Sequence, residues 1–222
     1  MEKQTAARLI KDTLQNPFDK ERFVYFVKNL LNRIDESKAF HVRGYVPQIF
    51  KDHVKTYERI GTYTDPEDKK TDIIIVYLQK ETALDRARTT QRNFIARYLR
   101  DRDEKDAGLI AFVSPDEEDW RFSFVKMEYR LAETPTGRIK AEEEFTPARR
   151  YSYLVGKNEN SHTAQSRLVP LLEDDKNSPT LAKLEEAFSI EKVTKEFFEK
   201  YRDLFMRTKE ALDEIIKENE KV

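Results

Sequence analysis

The sequence predicts an α/β fold: a central mixed β-sheet flanked by helices, with a helical extension at the C-terminal end. Three observations predict it. Ile73-Ile74-Ile75-Val76-Tyr77-Leu78 is apolar at every position, the pattern of a strand buried on both faces. A helix-period segment, Leu84 to Arg100, separates it from a second short apolar run, Gly108 to Val113. Helical stripes then stand at both ends of the chain, Phe23 to Ile34 and Phe197 to Ile215.

In chain order, Ala6, Leu9, Ile10 and Leu14 mark a short amphipathic helix. Asn16-Pro17 reads as the start of a second, because Asn can cap and Pro suits the first helical position. Tyr57–Tyr63 and Asp72–Gln79 flank the polar turn Thr64 to Lys70 and predict a hairpin. Leu84 to Arg100 carries Leu84, Ala87, Phe94, Ile95, Tyr98 and Leu99 on one face and predicts one continuous helix. Trp120 to Leu131 alternates like a longer, half-exposed strand. The stretch from Glu142 reads as irregular until a short strand at Tyr151–Val155, followed by helices at His162–Leu172 and Leu181–Phe188. The last helix, Thr194 to about Glu218, ends in mid-pattern without a cap glycine, which reads as a chain that continues. The expected division is residues 1–172 for the α/β domain with its N-terminal helices and residues 173–222 for the helical extension leading to a further domain.

Composition narrows the function. Forty-one Lys and Arg nearly balance 42 Asp and Glu, so a polyanion site must be a local patch rather than a global field. The absence of Cys removes disulfides, thiolate nucleophiles and Cys-based zinc sites. No apolar run has the length of a membrane span or the form of a signal peptide, so a cytoplasmic location and no membrane partner are expected. His41, His53 and His162 sit in unrelated segments without metal-ligand spacing, and the five glycines stand too far apart to cradle a phosphate.

Three groups of residues bear on chemistry. Arg88 and Arg92, four apart at the border of the Leu84–Arg100 stripe, are placed to grip phosphates. Arg149, Arg150, Lys157 and Arg167, interleaved with Tyr151 and Tyr153, suit a phosphate backbone and stacked bases, or else belong to an edge strand whose tyrosines pack inward. The hairpin followed by a central strand and a helix is also the layout of the PD-(D/E)XK nucleases, in which two carboxylates hold Mg2+ and a Lys positions the attacking water. Asp65 or Asp72 is the candidate first acid, Gln79 the candidate second ligand through its amide carbonyl, and Lys80 the candidate lysine. Gln79 brings no charge, and in a regular strand Lys80 points away from it.

Four ordered segments carry a resemblance: LDRARTTQRNFIARYL from Leu84, DEEDWRFSFVKMEY from Asp116, FTPARRYSYLVGKNENSHTAQSRL from Phe145 and LEEAFSIEKVTKEFFEKY from Leu184. Together they resemble the N-terminal region of type IIG restriction-modification proteins, in which a nuclease-like domain precedes an adenine-specific DNA methyltransferase. The resemblance implies a PD-(D/E)XK-like domain that engages double-stranded DNA and adjoins the methyltransferase part of the same polypeptide. Mg2+ is the implied cofactor if the domain is a working endonuclease, and S-adenosylmethionine belongs only to the downstream part. Family members close to the nuclease pattern carry Glu-Val-Lys in the strand before the Arg-rich helix; the matching positions here are Tyr77 and Gln79, so the motif is degenerate. The competing expectation is a non-catalytic interaction or scaffold domain packed against the methyltransferase.

Overall fold

The computed structural model describes residues 1–37, 45–81, 83–102, 105–127, 129–133, 139–143 and 150–219. Two units are distinguished, Met1–Phe188 and Ser189–Val222. The first is built on a five-stranded mixed sheet in the order β1-β2-β3-β4-β7. Its strands are β1 (Val54–Thr64), β2 (Lys70–Leu78), β3 (Ala107–Val113), β4 (Asp119–Lys126) and β7 (Arg150–Gly156). Neighbours pair antiparallel except β2 and β3, which are parallel. Strands β5 (Tyr129–Glu133) and β6 (Ile139–Glu143) form a separate two-stranded ladder.

Alternation along the strands divides the core. Ile73 and Ile75 of β2, Leu109 and Ala111 of β3, and Phe122 and Phe124 of β4 face one layer. That layer is made by α1 (Lys3–Leu14), α2 (Lys20–Leu31), α5 (His162–Glu173) and α6 (Leu181–Phe188). Ile74, Val76, Ile110 and Phe112 face the other, covered by α3 (Ala83–Arg86), α4 (Arg88–Arg100) and the turn at Gln48–Phe50. Strand β2, covered on both sides, is therefore buried nearly throughout, as its sequence predicts. Two register shifts in β1, between Val54 and Thr56 and between Arg59 and Gly61, switch which of its residues point to which layer. Gly61 stands at the second shift because Ile34 and the Asp35 carbonyl press against the place a Cβ would take.

Several boundaries differ from the sequence expectation, each for a local reason. Helix α2 starts at Lys20, not Pro17, because the Asp19 carboxylate accepts from the Arg22 N–H at 2.7 Å and caps it. Phe18, just before that cap, packs on Phe23 with ring centroids 5.8 Å apart, a hydrophobic staple that fixes the entry of the chain. The expected Leu84–Arg100 helix is broken at Ala87. The Leu84 carbonyl, which a continuous helix would offer to the Arg88 N–H, lies 3.4 Å from Gln91 Nε2 instead. Strand β4 is buried rather than half-exposed, since β7 pairs with its outer edge and both layers cover it. The chain leaves the sheet after Lys126, and the residues expected to extend β4 contribute β5.

The first unit runs through Phe188 rather than ending at Leu172. Leu181, Leu184, Ala187 and Phe188 of α6 are core residues, with Phe188 packed against Phe122, Phe124 and Tyr153. The second unit is the 30-residue helix α7 (Ile190–Asn219). Among the described residues no helix is long and apolar enough to cross a membrane.

Candidate functional site

The hairpin geometry decides where the expected ligands lie. A β-hairpin turn joins the end of one strand to the start of the next, so the turn and the far end of the second strand are a full strand apart. Asp72 and Gln79, seven residues apart along β2, are separated by roughly 23 Å at the usual extended rise of about 3.3 Å per residue. Asp65 lies at the turn, Asp72 near it, and Gln79 and Lys80 beyond the opposite end of the strand. These four residues do not form one site.

Both acids are occupied in holding the fold. Asp65 is buried, and its Oδ1 accepts from the backbone N–H groups of Glu67 and Lys69, each at 2.8 Å, closing the turn. Its Oδ2 accepts from the Leu181 N–H at 2.7 Å, binding an otherwise unpaired amide at the start of α6. Asp72, fully buried on the α4 side of the sheet, accepts from Thr62 Oγ1 at 2.7 Å and from the Tyr98 hydroxyl at 2.8 Å. Arg59 and Lys105 approach its two oxygens to 3.6 Å. Burial, reinforced by the Asp72 charge, pushes the Tyr98 phenol well above its ordinary pKa, which keeps it a donor. Asp65 thus reaches towards the α6 layer and Asp72 towards α4, on opposite faces of the sheet.

The end of β2 has other neighbours. Thr56 lies opposite Tyr77 and Glu58 opposite Ile75, and parallel pairing sets Val113 beside Tyr77. A cleft of about 320 Å³ opens there, lined by Lys55, Thr56, Glu58, Tyr77, Ser114 and Glu117 among others. It sits at the carboxyl ends of the parallel pair, the position where α/β sheets commonly bind ligands. Glu58 forms a half-buried ion pair with Lys20, the first residue of α2. Burial, then the nearby Glu58 and Glu117 charges, push the Tyr77 phenol up to about 12. The Ser114 hydroxyl contacts the Asp116 carboxylate and lies 2.7 Å from the Asp119 carbonyl oxygen. Thr56 Oγ1 is buried without a hydrogen-bond partner among the described residues.

The residues expected to hold Mg2+ do not converge on one site. The cation requires an octahedron of hard oxygen ligands, usually one or two carboxylates with waters. At the end of β2 the chain offers a protonated phenol, the Gln79 amide and two carboxylates, Glu117 and a Glu58 already matched by the Lys20 ammonium group. Asp65 and Asp72 have their oxygens committed elsewhere, and no group of three or more His, Asp or Glu residues is placed to hold a metal among the described residues. Glu58 and Thr56, with Ser114 and Glu117, are cleft residues that the sequence pattern does not single out. Register could have found the first two: counting outward from a Thr64–Lys70 pair brings the start of β1 beside the end of β2.

The cationic residues are distributed over both layers. Arg88 is exposed at the start of α4, and the Arg92 guanidinium lies 3.1 Å from Asn93 Oδ1. Arg167 lies on α5, in the opposite layer, beside a cleft it lines with Asp174, Lys183 and Glu186. Lys157 follows β7 and pairs with Glu118 at 3.2 Å. Arg150 opens β7, while Arg149 and His41 lie outside the described residues. Tyr153 is buried against Phe188 with its hydroxyl donating to the Ala187 carbonyl, and Tyr151 packs on the same core. The two tyrosine rings are part of the fold rather than a platform for bases.

No family model, curated protein or solved structure matches the chain. The class defined by the fold is an α/β domain with a mixed sheet between helical layers.

Proposed function

We propose that this chain is the DNA-engaging N-terminal module of a restriction-modification enzyme, and that it grips the duplex without cutting it. Helix α4 carries the reading: Arg88, Arg92, Arg97 and Arg100 stand within its thirteen residues, with no acidic residue among them. Four guanidinium groups along one helix concentrate positive charge locally in a chain of net charge −1, as phosphate contact requires; Arg88 and Arg92 lie along one side, while Arg97 pairs with Asp101 at 3.7 Å. Arg97, Arg100 and Arg88 are exposed. The end of β2 supports the second half of the reading, because Tyr77 and Gln79 stand at the positions that match the Glu and Lys of Glu-Val-Lys in family members close to the nuclease pattern. The four segments that resemble type IIG proteins supply the biological setting.

The test uses the 222-residue chain with a fluorescent DNA duplex titrated at several salt concentrations, and with supercoiled plasmid in the presence of Mg2+. Binding that weakens steeply with salt, and plasmid that stays supercoiled, are expected. A flat salt response overturns the DNA reading. Nicking that disappears in Glu58→Gln overturns the absence of cleavage.

A further inference from the structure

Phe94, Arg97 and Tyr98 of α4 are spaced three and four apart, so they share one side of the helix. At about 100° per residue, Arg97 lies opposite Arg88. With Tyr57 of β1, Arg102 just beyond the helix and Tyr45, these residues line a cleft of about 430 Å³. That size falls in the range of small-molecule sites, roughly 300–1,000 Å³.

Tyr57, Phe94 and Tyr98 are buried and make the floor, fixed by edge-to-face packing: the Tyr57 ring centroid lies 5.4 Å from that of Phe94 and 5.5 Å from that of Tyr98. Tyr45, 77% exposed, stands at the rim. The Arg102 guanidinium lies over the Tyr98 ring, 4.8 Å from its centroid, and is held there by cation–π attraction. Arg97 meets Asp101, also in the lining, in an exposed pair at 3.7 Å that contributes little. Arginines at the end of a helix ordinarily do no more than balance the negative end of its dipole. Here two of them border a concave surface with four aromatic rings, which that role does not require.

We propose that this cleft binds one unpaired nucleotide, with its base against Tyr45 and its phosphate on Arg97 and Arg102. A base needs an open aromatic face, which Tyr45 offers. A phosphate is matched by the planar donor fork of guanidinium. Burial, partly offset by Arg102, raises the Tyr57 phenol above its ordinary pKa, so its hydroxyl meets the ligand protonated. The Asp101 carboxylate accepts only from N–H or O–H groups, which a base edge or a sugar carries and a second phosphate does not, so the site selects a monophosphate. A base inside a duplex is stacked on both faces and does not enter. The pocket is therefore separate from the grip by Arg88 and Arg92 and does not rest on it.

Equilibrium dialysis of the 222-residue chain with 5′-deoxyadenylate, deoxyadenosine or inorganic phosphate tests the site. The nucleotide is expected to bind saturably, about tenfold or more tighter than either part alone. No binding of the nucleotide overturns the inference, as does equal affinity for phosphate alone or for the nucleoside alone. Tyr45 is exposed, so Tyr45→Ala should keep the parent circular dichroism spectrum while losing about 5- to 150-fold in affinity, and Tyr45→Phe should retain it. Arg97→Gln should weaken deoxyadenylate binding and leave deoxyadenosine as it was. Unchanged nucleotide affinity in Tyr45→Ala or in Arg97→Gln overturns the inference. Tight deoxyadenylate binding with a flat salt response to duplex sinks only the DNA reading, whereas salt-sensitive duplex binding without deoxyadenylate binding sinks only the pocket. Displacement of deoxyadenylate by a short 5′-phosphorylated single strand assigns the nucleotide to a DNA end, and no displacement assigns it to the free pool; both uphold the site.

Discussion

Thr62 and Asp72 face each other across the β1–β2 ladder, and the Thr62 hydroxyl donates to the Asp72 carboxylate at 2.7 Å inside a fully buried pocket. The pair ties the hairpin to the α4 layer, because the other Asp72 oxygen accepts from Tyr98. An acid that sequence pattern marks as a metal ligand is thereby the anchor of a buried polar network, with Arg59 and Lys105 as its counter-charges.

Removing that anchor leaves two cations without their carboxylate. Asp72→Ala is expected to lower stability by roughly 3–5 kcal/mol, the range for breaking a buried ion pair on one side. Urea unfolding monitored by Trp120 fluorescence measures it. Unchanged stability would mean that the network contributes little to holding the sheet to α4.

Asp65 acts locally. Asp65→Ala removes the acceptor of three backbone N–H groups, at Glu67, Lys69 and Leu181, with an expected cost of about 2 kcal/mol. Hydrogen exchange should accelerate both at the β1–β2 turn and in the first turn of α6. Acceleration at the turn alone would contradict the link between them.

Gly61 tolerates no side chain without movement. A Cβ there meets Ile34 Cγ2 and comes within 2.9 Å of the Asp35 carbonyl oxygen, at the bridge between Asp35 and Thr62. Gly61→Ala should cost roughly 1–3 kcal/mol by overpacking. A thermal midpoint equal to that of the parent chain would show that the neighbouring segment yields freely.

Stability should fall in alkali. Burial raises the phenol pKa of Tyr63, Tyr77 and Tyr153 from 10.0 to about 12. A folded-state pKa above the unfolded value means that the folded chain holds these protons more tightly. Their contribution is complete below about pH 10 and is lost as the pH rises towards about 12. Absorbance at the phenolate band should show these tyrosines ionising late, together with unfolding. Simple titration of every tyrosine near its ordinary pKa would contradict the burial.

Phosphate binding through α4 has a graded signature. Replacing Arg88 and Arg92 with Ala should weaken duplex binding similarly across sequences and reduce the slope of log affinity against log salt by about 1 for each phosphate no longer neutralised. An unaltered slope would move the DNA-binding face to another surface.

Local pattern by itself determined much of this protein. The solid apolar run of β2 declared its place inside the sheet, the hairpin followed from two β-rich segments around a polar turn, and the 3.6-residue stripes located α1, the body of α2 and α7. These features depend on neighbours in sequence. What only the tertiary structure decided depends on which residues meet across space. The β1–β2 register sent Asp65 and Asp72 to one end and Gln79 to the other, and brought Glu58 and Thr56 to the cleft instead. The Asp19 carboxylate won the α2 cap from Asn16, and the buried face of α6 drew the first unit on to Phe188. A carboxylate has the same sequence signature whether it binds a metal, closes a turn or balances a buried arginine; its hydrogen-bond partners, supplied by distant segments, determine which role it takes.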